Sequence, residues 1–432
     1  MSAALGKWSV RLATAAVAIA AAGCRAELET EPLLLPIDRD HQSADPALAV
    51  EPRSGNLLLG WIAGAGEVWT LYVARSRDGG ASWSAPAVVA GGPGTPNEVH
   101  PHGESSPRLV VAPGGRVAIA WPQSIPVAGR KWPATTLRLA RSTDGGATWS
   151  RPITLNDDSA SAAPVSHQFH GAAWQGDSGL LVAWLDERHT QEELAAAGGV
   201  EPPGGEPDAT IYAAVSSDFG RTWARNVRLW GKVCPCCRVS LARGPTGAVS
   251  AAWRQHFDGS VRDVVLAAVA AGPADPPRRV HADEWAYPGC PHTGPALAAS
   301  ADGWLHTAWY SGKPGVSGIF YRRLRAMPAD STGPLVDVSR AEHVPTAHAT
   351  VLALADGGAL VAYDVGRAGA RVIRLARISA AGQRVAETTV PGSAGGAYPQ
   401  LVRTGWETAV LAYTVTAGEQ RTVRVARVRL PL

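Results

Sequence analysis

Three of the five cysteines fall within four positions, in GKVCPCCRVS at 231–240. A fourth, Cys290, lies in YPGCPHTGP, two residues before His292. Thiols and an imidazole at this density open three chemistries. Two disulfides would staple neighbouring segments, provided the chain works in an oxidising compartment. Thiolates of Cys234, Cys236, Cys237 and Cys290 with His292 would instead hold a soft ion, copper or zinc. A mixed state would bond two sulfurs and leave two as ligands or redox groups. Covalent haem is excluded, because Cys237 is followed by Arg238 where a C-x-x-C-H site needs histidine. A thioredoxin-like dithiol is not expected, since no helix follows to lower a thiol pKa.

The compartment is read from the first residues. Lys7 and Arg11 precede the apolar run LATAAVAIAAAG, which is too short to span a membrane and reads as an export signal. Ala21-Ala22-Gly23-Cys24 resembles a bacterial lipobox, which implies a signal peptide over 1–23 and a lipid-modified Cys24. Residues 24–30 then form the anchored linker and 31–432 the folded domain. Arg25 stands where an inner-membrane retention signal would place Asp, so the periplasmic side of the outer membrane or the cell surface is expected. The anchor is then the only membrane contact. A net charge of +3 on 432 residues, with no basic run, argues against nucleic acid as a partner. A monomer is expected.

The elements that must position the cysteines come from an internal repeat. An apolar segment ending in Trp or Tyr recurs about every 50–70 residues: NLLLGW, GRVAIAW, GLLVAW, GAVSAAW, GWLHTAW, GALVAY and ETAVLAY. A short strand precedes each, and further strands such as TLYVARS and PAVVA follow. The 47 Gly and 33 Pro suit many short strands joined by tight turns. Four antiparallel strands per repeat indicate a seven-bladed β-propeller, an all-β fold, with six blades as the runner-up. The last repeat has three strands, and the surplus segment EPLLLPID (31–38) is expected to supply its fourth and close the ring.

Three hairpins match S-x-D-x-G-x-x-W. They comprise Ser76, Asp78, Gly80 and Trp83; Ser142, Asp144, Gly146 and Trp149; and Ser216, Asp218, Gly220 and Trp223. The aspartates can accept backbone N–H bonds within the turn, and the glycines supply a shape other residues resist. This is the Asp-box, or BNR-repeat, pattern. Over 31–432 the chain resembles sialidases (neuraminidases) and their propeller relatives. That resemblance implies three arginines holding a substrate carboxylate, a Tyr–Glu nucleophile pair and an Asp acid/base. In SADPALAV, Pro46 keeps the proline of the family's first-arginine segment, but Ala44 stands in the arginine's place and cannot make a bidentate contact. Arg188 and Arg254 could supply the other two guanidiniums, Asp186 a carboxylate, and Tyr310 or Tyr398 the phenol.

In a propeller, the connections into first strands and those between second and third strands emerge on one face. Eleven of the twelve histidines sort to that face, His167, His170 and His292 among them; only His306 falls inside a strand. Cys234, Cys236 and Cys237 lead into the fourth repeat and Cys290 into the fifth. The Cys/His set should therefore gather at the mouth of the central channel, with His167 or His170 from a flanking segment. Trp69, Trp132 and Trp285 are candidate sugar platforms. Two functions stay open: a protein binding a small molecule, glycan, protein or metal at this mouth, and a glycoside-acting enzyme.

Overall fold

The computed structural model describes residues 28–37, 41–130, 132–158, 164–190, 194, 198, 208–269, 276–325, 331–339, 347–366 and 370–430. Cys24, the export segment and His343 lie outside these residues. The recurring apolar segments become the second strands of antiparallel four-stranded sheets. They are Leu57–Ala65, Arg116–Ile125, Gly179–Asp186, Val249–Phe257, Trp304–Ser311, Ala359–Val365 and Thr408–Ala417. Five sheets stand alone, and the third and fourth repeats share an eight-stranded sheet through the pairing of Val233 with Gln255.

Each second strand is covered on both faces, which explains its near-continuous apolar reading. Trp61, Trp121, Trp184, Trp253 and Trp309 are fully buried. Four of their indole N–H groups donate to Glu98 O, Asp186, Gln255 and Asp283, at 2.7–3.0 Å. A buried indole that is also hydrogen-bonded carries both its area and its polar tip into the core. Apolar clusters join each sheet to the next in chain order. The last sheet packs back on the first, where Val410, Ala412 and Val425 meet Leu57, Leu59 and Trp61.

The N-terminal strand does complete the last sheet, but not where the sequence suggested. Glu29–Pro32 pairs with Gln420–Arg429, so the domain begins at least two residues before the expected 31. The ladder then ends with a single bond, Leu33 N–H to Val425 O at 2.9 Å. Pro36 has no N–H to extend the ladder, and Leu33, Leu35 and Ile37 pack as side chains against the Trp61 cluster instead.

The three S-x-D-x-G-x-x-W hairpins share one hydrogen-bond pattern. In the first, Ser76 Oγ donates to Asp78 at 2.7 Å and accepts from Gly80 N–H at 2.7 Å. Asp144 and Asp218 accept in the same way from Thr148 and Thr222. Gly80 sits at φ +94°, close under the Trp83 ring. Hydrogen bonds from Ser82 hold Asp78 down at about 2, and those from Thr222 do the same for Asp218. Their folded values lie below the unfolded value of about 3.9. Their stabilisation is therefore complete at neutral pH and is lost as pH falls from about 4 towards about 2. Replacing all three aspartates by asparagine should flatten the acid limb of a denaturation curve over that window. An unchanged slope in tryptophan fluorescence would contradict this.

Candidate functional site

The starts of the innermost strands converge on one polar network. Glu104 leads into Arg108–Ala112 and is almost fully buried. Its carboxylate accepts Arg238 Nη1 at 2.9 Å, Arg238 N–H at 3.3 Å, and the Gly294 N–H. Arg238 Nη2 continues to Ala349 O at 2.9 Å. One ion pair thus ties together the lead-ins to four different innermost strands. Asp45, in Gln42–Val50, accepts His102 N–H at 2.6 Å. Burial pushes its carboxyl up to about 6, against the pull of that bond. His348 Nδ1–H donates to the Asp364 carboxylate (2.8 Å), which also accepts Tyr398 N–H at 3.0 Å. The Tyr398 ring lies 4.0 Å from that of His348, and a Cβ at Gly103 would collide with it.

Local backbone geometry aims these groups. Asp45, Phe169 and Tyr398 have φ of 54°, 55° and 56°, each within a β-bulge of its innermost strand. A bulge with a left-handed residue re-aims the side chain at a cost of order 1–3 kcal/mol, the kind of strain that gathers at functional sites. Arg108 also lies here. Its Nε donates to His170 O at 3.3 Å, and its buried Nη2 has no partner among the described residues. Burial and the nearby Arg238 push it down to about 9.

The cysteines do assemble, in the mixed state. Cys236 and Cys290 are disulfide-bonded, while Cys234 and Cys237 are buried thiols with sulfurs 2.9 Å apart. The sulfurs of Cys234, Cys236 and Cys290 all lie within 4.8 Å of one another. Burial opposes ionisation of Cys234, but the Cys237 thiol and the charges of Arg262 and Arg254 lower its pKa. Burial and Cys234 itself push Cys237 up. His292 touches this group through its backbone, donating N–H to Cys236 Sγ at 3.4 Å, and its carbonyl meets His348 Nε2 at 3.1 Å. The cysteine cluster is therefore joined to the axial network.

His167 and His170 are placed elsewhere. His170 is fully buried with Nε2 on Ala120 O, and burial beside Arg108 pushes it down to about 3. His167 pairs across the strands with Asp186 and sits between Asp158 (3.0 Å) and Asp186 (3.6 Å). These three could surround an ion. Arg188 already supplies the positive charge there, bidentate on Asp186 at 2.9 Å and reaching Asp157 at 2.9 Å. Arg188 and Asp186 are thus engaged with each other and with neighbouring side chains inside the protein.

Arg254 has no exposed surface. Its guanidinium donates to three backbone carbonyls, those of Thr293, Arg262 and Tyr310. Tyr310 is buried edge-on against Trp285, 5.5 Å between centroids. Ala44 is buried beside Asp45. Trp69 and Trp285 are core residues, and only Trp132 of the three proposed platforms is exposed. Sequence reasoning missed Asp45, Glu104, Arg108, Arg238 and Asp364. The stretch HPHGESSPR (100–108), dense in polar groups just before a first strand, was the available signal.

No family model matches the sequence, and no curated relative does. Solved structures match over most of the chain at low identity. A polysaccharide lyase of family PL25, an ulvan lyase bound to -[GlcA(1-4)Rha3S]-, is 11% identical with a TM-score of 0.55, covering 89% of this chain and 93% of its own. A protein of unknown function from Dyadobacter fermentans is 13% identical with a TM-score of 0.51, covering 93% and 99%. The microbial sialidase Hz136 overlaps more loosely, at 14% identity and a TM-score of 0.47, covering 90% and 66%. At these identities the likeness is one of fold: this chain is an all-β protein of antiparallel four-stranded sheets with propeller-type neighbours.

Proposed function

We propose that the chain is an exported, lipid-anchored seven-bladed propeller of sialidase-like fold that binds an acidic saccharide at its axial mouth. One observation carries this reading. Arg108 brings a guanidinium to this region whose Nη2 has no partner among the described residues, whereas Arg238 and Arg371 are paired with Glu104 and Asp364. A buried donor without a partner calls for one, and a carboxylate or sulfate matches a guanidinium in both charge and geometry. The rings of His102 and Tyr398 would flank the sugar. The PL25 neighbour, bound to a glucuronate-containing saccharide, supports the class of ligand and no more than that. Sialic-acid hydrolysis is not part of this reading, because Arg188 and Arg254 spend their guanidiniums inside the protein and position 44 has none.

The test is calorimetric titration with matched acidic and neutral oligosaccharides, alongside a fluorogenic sialoside. Acidic chains should bind selectively, and Arg108→Gln should weaken them about tenfold or more while the fold is retained. Equal binding of neutral chains, or no effect of the substitution, would refute the site. Turnover of the sialoside would show that an enzyme has been mistaken for a binding protein.

A further inference from the structure

We propose that Cys234, Cys236, Cys237 and Cys290 form a thiol–disulfide exchange centre, in which the bond between Cys236 and Cys290 is passed to Cys234 and Cys237. The inference does not depend on the saccharide reading. It rests on one disulfide and two thiols brought together from two loops, with the Cys234 sulfur within 4.8 Å of both bonded sulfurs and 2.9 Å from Cys237. Exchange needs a thiolate near a disulfide and a second thiol to resolve the mixed bond. Cys234 fills the first role and Cys237 the second.

The steps balance without an oxidant. The Cys234 thiolate attacks Cys290 Sγ, a Cys234–Cys290 bond forms, and the electron pair of the broken bond leaves on Cys236. Cys236 takes the proton of Cys237. The Cys237 thiolate then attacks Cys234 Sγ, and Cys290 leaves as a thiolate. Both isomers contain one disulfide and two thiols. They differ in which sulfur can be reached: Cys234 and Cys237 are fully buried, whereas Cys290 is half-buried. The exchange moves a thiol from the interior to the mouth and unties the loops at 231–240 and 288–294. A thiol or disulfide on another molecule is the class of partner that would meet Cys290.

The test uses the full chain, isolated without reductant and held folded at neutral pH with excess iodoacetamide. It is then quenched in acid and mapped by peptide mass spectrometry. Wild type should accumulate alkylated Cys290 together with a Cys234–Cys237 bond, about tenfold or more faster than Cys234→Ser. Cys237→Ser, which lacks the resolving thiol, should stop at Cys234–Cys290 with Cys236 alkylated. That variant carries the test if Cys234→Ser does not fold. Cys290 that stays unlabelled in wild type, or is labelled equally fast in Cys234→Ser, would overturn the proposal. So would two disulfides in the isolated protein, or one copper or zinc ion per chain held by Cys234 and Cys237 with the Cys236–Cys290 bond intact.

Discussion

Glu104→Ala is expected to lower folding stability by about 3–5 kcal/mol, because it leaves the Arg238 guanidinium buried with no counter-charge. Glu104 and Arg238 are almost fully enclosed, so water cannot take the place of the lost carboxylate. The damage would not stay local. Glu104 also accepts the Gly294 N–H, and Arg238 also holds Ala349 O, so four lead-ins lose a shared anchor. Glu104→Gln keeps the shape and one acceptor and should cost less. Arg238→Met combined with Glu104→Leu should recover much of the loss, since removing both charges removes the desolvation penalty. Denaturant midpoints at constant slope would measure all three. A Glu104→Ala midpoint within error of wild type would mean that the pair is solvated and the axial network is not a core.

Arg254→Met should act on folding rather than on turnover, with a loss of about 3–5 kcal/mol. Three backbone carbonyls, at Thr293, Arg262 and Tyr310, would lose their donor inside a site that no water reaches. A substrate-binding arginine behaves in the opposite way: its removal leaves the melting transition intact and abolishes binding. The two outcomes separate the structural role seen here from the role that the resemblance to sialidases implied. A stable Arg254→Met protein that had lost saccharide binding would restore the catalytic assignment. Cys234 donates its N–H to Arg254 O at 3.0 Å, so the same variant should also disturb the thiol pair.

Some of the site was legible because it is local. The S-x-D-x-G-x-x-W turns bond within themselves, over at most four residues, so spacing alone specified them. The recurring apolar segment likewise located every second strand, since burial on both faces keeps most of its positions apolar. The Cys234–Cys237 pair was visible as a cluster, and repeat arithmetic brought Cys290 to it from 54 residues away. Arg188, Arg254 and Asp186 read in the sequence as charged groups beside the ends of second strands that could face a substrate; Asp186 does end Gly179–Asp186, but Arg254 lies inside Val249–Phe257 and is fully buried. Whether such a charge faces a ligand or a carbonyl depends on neighbours up to 56 residues distant, which no local pattern encodes.

Residue order alone therefore determined the repeat, its strands and its turns, because each follows from hydrogen bonds and burial within a single unit, and the repeat spacing then set the sulfurs of two neighbouring units side by side. Tertiary structure decided which sulfurs are bonded, that Arg108 Nη2 is left without a partner among the described residues, and that Glu104 and Arg238 tie together the lead-ins to four innermost strands. Those outcomes are set by competition among groups from different sheets for the same few acceptors in a space closed to water. A buried charge takes whichever partner the packing of the sheets brings within about 3 Å.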